Sequence, residues 1–417
     1  MKIDFLNIKN FKCFEILEME FHPSFNILLG NNGTGKTSVL EALRVAIGSL
    51  YLGFDKYEDK IVGASITDDD VRLYNLEAQY PTVVSAKGIF YDYETDVTVN
   101  KRIEWTRSLE SRKGKTLYKE AKQMLKLSKA LQKHIRTNVN VGIPLLAYFS
   151  TDRYKKERRE QKIEPKGSRL RGYYNALDTS TNSKFFLNLL YTETLGELQS
   201  GERSVLLESV KNAICKCVDC KSLDYILQEQ ELYIELNNGQ KMPFHLLSDG
   251  VRSTLAMVME IAVRCFLLNP QFGARASELT NGIVLIDEID LHLHPSWQRH
   301  IANDLRNAFP SLQFIATTHA PLVISELDNC KIYSIGDGRV YNFPIQNGRD
   351  ANYILKQMNV AHIHVKNELK INKYFSLIEQ GKGYSQEALQ IRQEIETEFG
   401  KEYAELERAD IMLSFFQ

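Results

Sequence analysis

Phe25-Asn26-Ile27-Leu28-Leu29-Gly30-Asn31-Asn32-Gly33-Thr34-Gly35-Lys36-Thr37 is an apolar run, a glycine-rich turn and a Lys-Thr pair, followed by helical spacing from Ser38 to Leu50. An apolar strand that breaks into glycines and restarts as a helix is the context that the pattern G-x-x-x-x-G-K-[ST] requires. The glycines let backbone N–H groups turn inward, and the helix adds its positive N-terminal end, so the turn is an anion cradle. Gly30, Asn31, Asn32, Gly33, Thr34 and Gly35 are the expected cradle for a nucleotide's phosphates. Lys36 is placed to bridge β- and γ-phosphate oxygens, and the Thr37 hydroxyl to ligate Mg²⁺.

A second buried strand, Ile283-Val284-Leu285-Ile286, ends in Asp287-Glu288. A carboxylate at a strand's C-terminal end can hold the hydration shell of Mg²⁺, and the next residue points elsewhere and can polarise a water. Asp287 is therefore the expected metal residue and Glu288 the expected catalytic base. Asp290-Leu291-His292-Leu293-His294-Pro295 follows; its two histidines read either as metal ligands or as a rigid dimer-contact loop. A third apolar run leads to Thr317-Thr318-His319, where His319 is expected to reach the γ-phosphate. Leu247-Ser248-Asp249-Gly250 opens a helix from Val251. The Ser248 hydroxyl, the Gly250 backbone and the helix N-terminus make a second anion site. That site is redundant in a chain holding one ATP, unless it caps the nucleotide of a second copy.

As a set, these motifs resemble the ABC ATPases of the SMC/RecF class. Ser248 and Gly250 are similar to positions of the family's signature, Asp287-Glu288 to Walker B, Asp290 to the D-loop and His319 to the H-loop. The resemblance covers residues 1–50 and 245–345. It implies an α/β fold: an ABC-type head with a mixed sheet, an inserted helical lobe and a C-terminal helical appendix. It also implies ATP and Mg²⁺ as ligands and a homodimer, or higher oligomer, joined through composite ATP sites. The signature looks like that of the RecF-like and overcoming-lysogenization branch. Gly282 to Gln298 and the helical tail look like stand-alone ATPases of prokaryotic defence islands, including the Septu and retron-associated kinds. In such systems the ATPase controls a separately encoded nuclease, often of the HNH type. The alternative is a RecF-like DNA-binding repair or loading ATPase. No SMC-length coiled coil fits in the chain, and the last 70 residues leave no room for a TOPRIM nuclease. A Q-loop glutamine is not found near Ala147 to Arg153; Gln161 lies further along.

The expected units are 1–110 (first part of the ATPase lobe), 111–240 (inserted, basic, helical), 241–345 (signature and Walker B part) and 346–417 (helical appendix). Residues 183–231 read mostly as helix, with a hairpin strand at Leu232 to Leu236. The net charge of −1 hides an asymmetry, since residues 101–171 hold 21 Lys+Arg against 7 Asp+Glu. Within that segment, Lys115, Lys119, Lys122, Lys126, Lys129, Lys133 and Arg136 recur at spacings of four and three. Leu117, Ala121, Met124, Ser128, Leu131 and Ile135 follow on the opposite face. A helix over 115–136 would be about 33 Å long. Its stripe reads as a solvated face, a nucleic-acid contact or a seat for an acidic protein, and Arg153 to Arg171 adds to the basic surface.

Hydrophobic content of 43% with 25% charged residues is that of a globular chain. No apolar run is long enough to span a membrane, and the start lacks a signal peptide's apolar region. Six cysteines in this length make no disulfide framework. The expected location is the cytoplasm. Cys215, Cys217 and Cys220 read either as zinc ligands awaiting a fourth or as structural cysteines.

Overall fold

The computed structural model describes the chain except for residues 56–60, 138–139, 152–167, 180–182, 219, 230, 238, 337, 346–347, 350, 359–364, 400–402 and 416–417. Much of the 153–171 basic stretch, and Gln161, lie outside the described residues. The chain divides into two compact units, Met1–Ala351 and Asn352–Gln417.

In the first unit, fully buried strands form the centre of a six-stranded sheet. Its order is Arg339–Phe343, Cys330–Gly336, Phe25–Leu29, Leu312–Thr318, Gly282–Ile286, Leu145–Phe149. All neighbours are parallel except the first pair, an antiparallel hairpin. Continuous apolar runs such as Phe25–Leu29 and Gly282–Ile286 are what a sheet covered on both faces demands. Strand Leu145–Phe149 falls inside the segment expected as an inserted lobe, yet it is an edge strand of this sheet, parallel to Gly282–Ile286. The 111–240 segment is thus woven into the ATPase body.

A four-stranded antiparallel sheet comprises Phe14–Glu20, Lys2–Phe11, Thr82–Asp92 and Asp96–Leu109. The alternation read between 83 and 106 reports its long hairpin, with Val84, Ala86 and Phe90 buried on one face. Gln313, fully buried, ties the two sheets together. Its side chain accepts from Ile3 N and donates to Ile3 O, both at 2.8 Å, and donates to His22 O at 2.9 Å. Burying an amide is tolerated only when its hydrogen bonds are met, and here they are met across the layer boundary. Trp105 likewise donates from the antiparallel sheet to Ala46 O at 2.9 Å, anchoring the helix Lys36–Ile47.

One expectation of secondary structure needs correction. The basic helix runs over Lys122–Thr137, not 115–136. Leu117 N donates to Ser108 O at 2.7 Å, so the chain is extended there and the helix begins a turn later. At 16 residues the helix is about 24 Å long. The mostly helical reading of 183–231 holds in helices Ser183–Ser200 and Val205–Val218; strand Cys220–Ile226 is added to it, pairing with Glu231–Leu236 and through it with Lys241–Pro243 in a small antiparallel sheet.

The second unit has its own core. Ile371, Tyr374 and Ile378 of helix Val365–Glu379 meet Ala388, Ile391 and Ile395 of helix Gln386–Phe399, closed by Leu406, Ala409 and Leu413 of helix Ala404–Phe415. Arg392 links the last two helices through paired contacts to Asp410. The apolar side chains of the helical appendix are therefore largely spent within its own bundle, although Leu389 and Tyr384 stay exposed. Among the described residues, no helix is long and apolar enough to cross a membrane.

Candidate active site

The phosphate loop joins strand Phe25–Leu29 to helix Lys36–Ile47. Gly35 takes φ of 102°, and a Cβ there would sit 2.5 Å from Cys13 Sγ and 2.6 Å from Phe14 Cζ. Only glycine meets both the left-handed backbone and the close approach. The Lys36 ammonium donates to Gly30 O at 2.9 Å and Asn31 O at 2.8 Å, so the loop's own carbonyls hold it inside the curl. Burial lowers its pKa from 10.5, while Asp287, Glu288 and Asp290 oppose the shift.

Strand Leu312–Thr318 lies between the phosphate-loop strand and the acidic strand, and it carries a residue that motif reading missed. The Thr317 hydroxyl donates to Asp287 Oδ1 at 2.6 Å and accepts from Glu288 N at 2.7 Å. Thr37 Oγ1 reaches the other carboxylate oxygen, Asp287 Oδ2, at 2.9 Å. Asp287 is 2% exposed, so these hydroxyls replace the water it has lost. Glu288 stands at φ 48°, a left-handed conformation that turns the chain out of the strand. Thr318 holds Asp290 by a short hydrogen bond. The Thr317-Thr318 pair at a buried strand end is the signal that would have found this role.

Lys36, Thr37, Asp287, Glu288 and His319 line one cavity of about 290 Å³, together with Asn32, Gly33, Gly35 and Ser38. Lys12 and Cys13, at the tip of the first hairpin, line it too; sequence reading did not single them out. Burial holds the His319 pKa below 6.5, with the Lys36 charge adding to the effect and Asp290, Glu288 and Asp287 opposing it. A hydroxyl and a carboxylate converging at 2.9 Å are hard oxygen donors of the kind Mg²⁺ takes, so Thr37 and Asp287 fit that ion.

Ser248 and Gly250 are elsewhere. Neither lines the cavity. Ser248 is exposed at the N-cap of the 20-residue helix Asp249–Leu268, and its side chain makes no capping bond. Gly250 is buried, its backbone against the His292 carbonyl. His294 serves its own helix, since its ring accepts from Ser296 N and caps Pro295–Ala308. Among the described residues, no group of three or more His, Cys, Asp or Glu is placed to hold a metal ion. Cys217 turns away from Cys215 and Cys220, its thiol donating to Asp304 O at 3.4 Å.

Residues 25–325 match the family described as "AAA domain, putative AbiEii toxin, Type IV TA system". The chain belongs to that family. It is similar to the "Retron Vc95 probable ATPase" of Vibrio cholerae serotype O1 biovar El Tor, 24% identical over 91% of this chain and 84% of that one. It is also similar to the "Retron Ec83 probable ATPase" of Escherichia coli, 26% identical over 82% of this chain and 73% of the relative. A third relative is the "Septu protein PtuA" of Bacillus mycoides strain KBAB4, 26% identical over 78% of this chain but 38% of that protein. The expected resemblance to ATPases of the retron-associated and Septu kinds agrees with these relatives and with the AAA domain.

Proposed function

We propose that this AAA-family chain is an ATP-hydrolysing dimeric switch that controls a separately encoded effector nuclease, of the HNH type, in anti-phage defence. The observation that carries the ATPase half is the convergence of Lys36, Thr37, Asp287, Glu288 and His319 on one cavity. The defence half is supported by similarity to retron ATPases and to a Septu protein.

In this reading Gly30 to Gly35 cradle ATP, and Lys36 exchanges its loop carbonyls for phosphate oxygens. Thr37 and Asp287 hold Mg²⁺, which supplies charge neutralisation on those oxygens when bound. Thr317 orients the Asp287 carboxylate by donating to one of its oxygens. Glu288 takes the proton from the attacking water as its oxygen bonds to the γ-phosphorus and the bridging bond to ADP breaks. Neutral His319 donates an N–H toward the γ-phosphate. Ser248 and Gly250 of a second copy close the site, a reading supported by their position outside the cavity and by the exposed Ser248 side chain, which makes no capping bond.

Mixing two dead variants tests the shared site. Ser248→Arg and Lys36→Ala should each abolish turnover alone, and the mixture should recover part of it because one heterodimer site keeps both good halves. Normal hydrolysis by Ser248→Arg alone refutes the dimer model. For the effector, the chain truncated after Ala351 should hydrolyse ATP but no longer co-purify with the nuclease encoded beside it. Retention of that nuclease would move the docking surface to the ATPase unit.

A further inference from the structure

Cys215 lies near the end of helix Val205–Val218 and Cys220 begins the strand Cys220–Ile226. Their sulfurs are 3.2 Å apart, with the Cys220 thiol donating to Cys215. A disulfide needs about 2.05 Å, so closing the pair asks roughly an ångström of sulfur movement. Neither sulfur is in a disulfide. Cys215 is partly exposed and Cys220 buried, an arrangement in which one sulfur meets solvent oxidants and the other waits beside it.

We propose that Cys215 and Cys220 form a redox-active dithiol, a modification site at which a hydroperoxide, hydrogen peroxide in the simplest case, converts the pair to an intrachain disulfide. Cys215 thiolate attacks the peroxide O–O bond, giving a sulfenic acid and releasing one water. The Cys220 sulfur then attacks the sulfenic sulfur; the S–S bond forms and a second water leaves. Two thiols and one peroxide thus become one disulfide and two waters.

The other cysteines set this pair apart. Burial raises the thiols of Cys13 and Cys217, and pushes Cys265 up to about 12 and Cys330 to about 11. Cys215 alone among these moves down, held there first by the Cys220 hydrogen bond and then by Lys211, against burial and Asp224. Thiolate, not thiol, is the nucleophile, so this site reacts ahead of the rest. Its place in the fold gives a disulfide leverage. Helix Val205–Val218 packs on the helix opened by Ser248, and strand Cys220–Ile226 belongs to the small sheet whose last strand, Lys241–Pro243, leads through a short 3-10 helix, Phe244–Leu246, into that serine.

Tryptic mapping tests the pair, because cleavage after Lys211, Lys216 and Lys221 separates Asn212–Lys216 from Cys217–Lys221. After brief hydrogen peroxide treatment of the folded full chain, these peptides should appear joined and lighter by two hydrogens, and dithiothreitol should part them. The link should persist in Cys217→Ser and vanish in Cys215→Ser and in Cys220→Ser, each checked for a native circular dichroism spectrum. Loss of the link in Cys217→Ser, or a wild-type chain in which Cys13 is oxidised while the pair stays reduced, overturns the proposal.

Discussion

Gly250 lies against the carbonyl of His292: a Cβ built on Gly250 would stand 2.1 Å from that oxygen. The start of the signature helix and the loop after the acidic strand therefore share a backbone contact within one copy. The contact has no slack, because the obstacle is main chain. Gly250→Ala must push the helix start away from the loop. Overpacking of this sort costs about 1–3 kcal/mol, so the melting temperature should fall. Hydrolysis should fall further than stability accounts for, with ATP affinity of the isolated chain kept. A variant with native melting and native turnover would show that the contact yields freely.

Thr317→Val removes the donor to Asp287 and the acceptor for Glu288 N while keeping the shape. A hydrogen bond to a charged group is worth about 1.5–3 kcal/mol, so kcat/KM should drop about tenfold to a hundredfold, chiefly through weaker Mg²⁺ affinity. Thr317→Ser restores the hydroxyl and should recover most of the loss. Equal activity of the Val and Ser variants in a magnesium titration would remove Thr317 from the mechanism.

Glu288→Gln keeps the phosphate and Mg²⁺ contacts and loses the base. Turnover should fall by roughly 10²–10⁴, nucleotide affinity should hold, and a dimer should accumulate with ATP on a sizing column. Wild-type turnover would reassign the base.

His319 is held neutral below its ordinary 6.5 by burial and by Lys36. A group with a lowered pKa keeps its neutral form as pH falls through 6.5 and gains its proton only below that. The acid limb that His319 places on kcat/KM should therefore lie below 6.5 and be missing in His319→Gln. A limb at 6.5 or above would contradict the lowered value.

Lys122, Lys126, Lys129 and Lys133 are exposed along helix Lys122–Thr137, while Arg136 pairs with Asp55 at 2.5 Å. If the stripe follows a nucleic-acid backbone, changing Lys122, Lys126 and Lys129 to Glu should weaken duplex binding. It should also flatten the slope of log K against log salt by about 0.9 per lost phosphate contact. Binding that is unchanged across the salt series would leave these lysines as a solvated face.

The strand, glycine turn and Lys36-Thr37 are contiguous, as are Ile286, Asp287 and Glu288, so local sequence alone determined both motifs and the apolar strands that present them. Chemistry that depends on neighbours along the chain is legible in the chain. What only the tertiary structure decided is which strand stands between them. Placing Leu312–Thr318 there brings Thr317 onto Asp287, 30 positions away, and no periodicity encodes a hydrogen bond between strands. The same holds for Leu145–Phe149, an apolar run whose place at the sheet edge comes from pairing with Gly282–Ile286. Lysine spacing predicted a basic helical face, but its first turn was lost to the pairing of Leu117 with Ser108, because a backbone bond to an existing strand outcompeted local helix propensity. Three cysteines at close spacing suggested one cluster. Helix Val205–Val218 and strand Cys220–Ile226 instead set two of them face to face, while Cys217 bonds to Asp304, since direction, unlike order, is a property of the folded backbone.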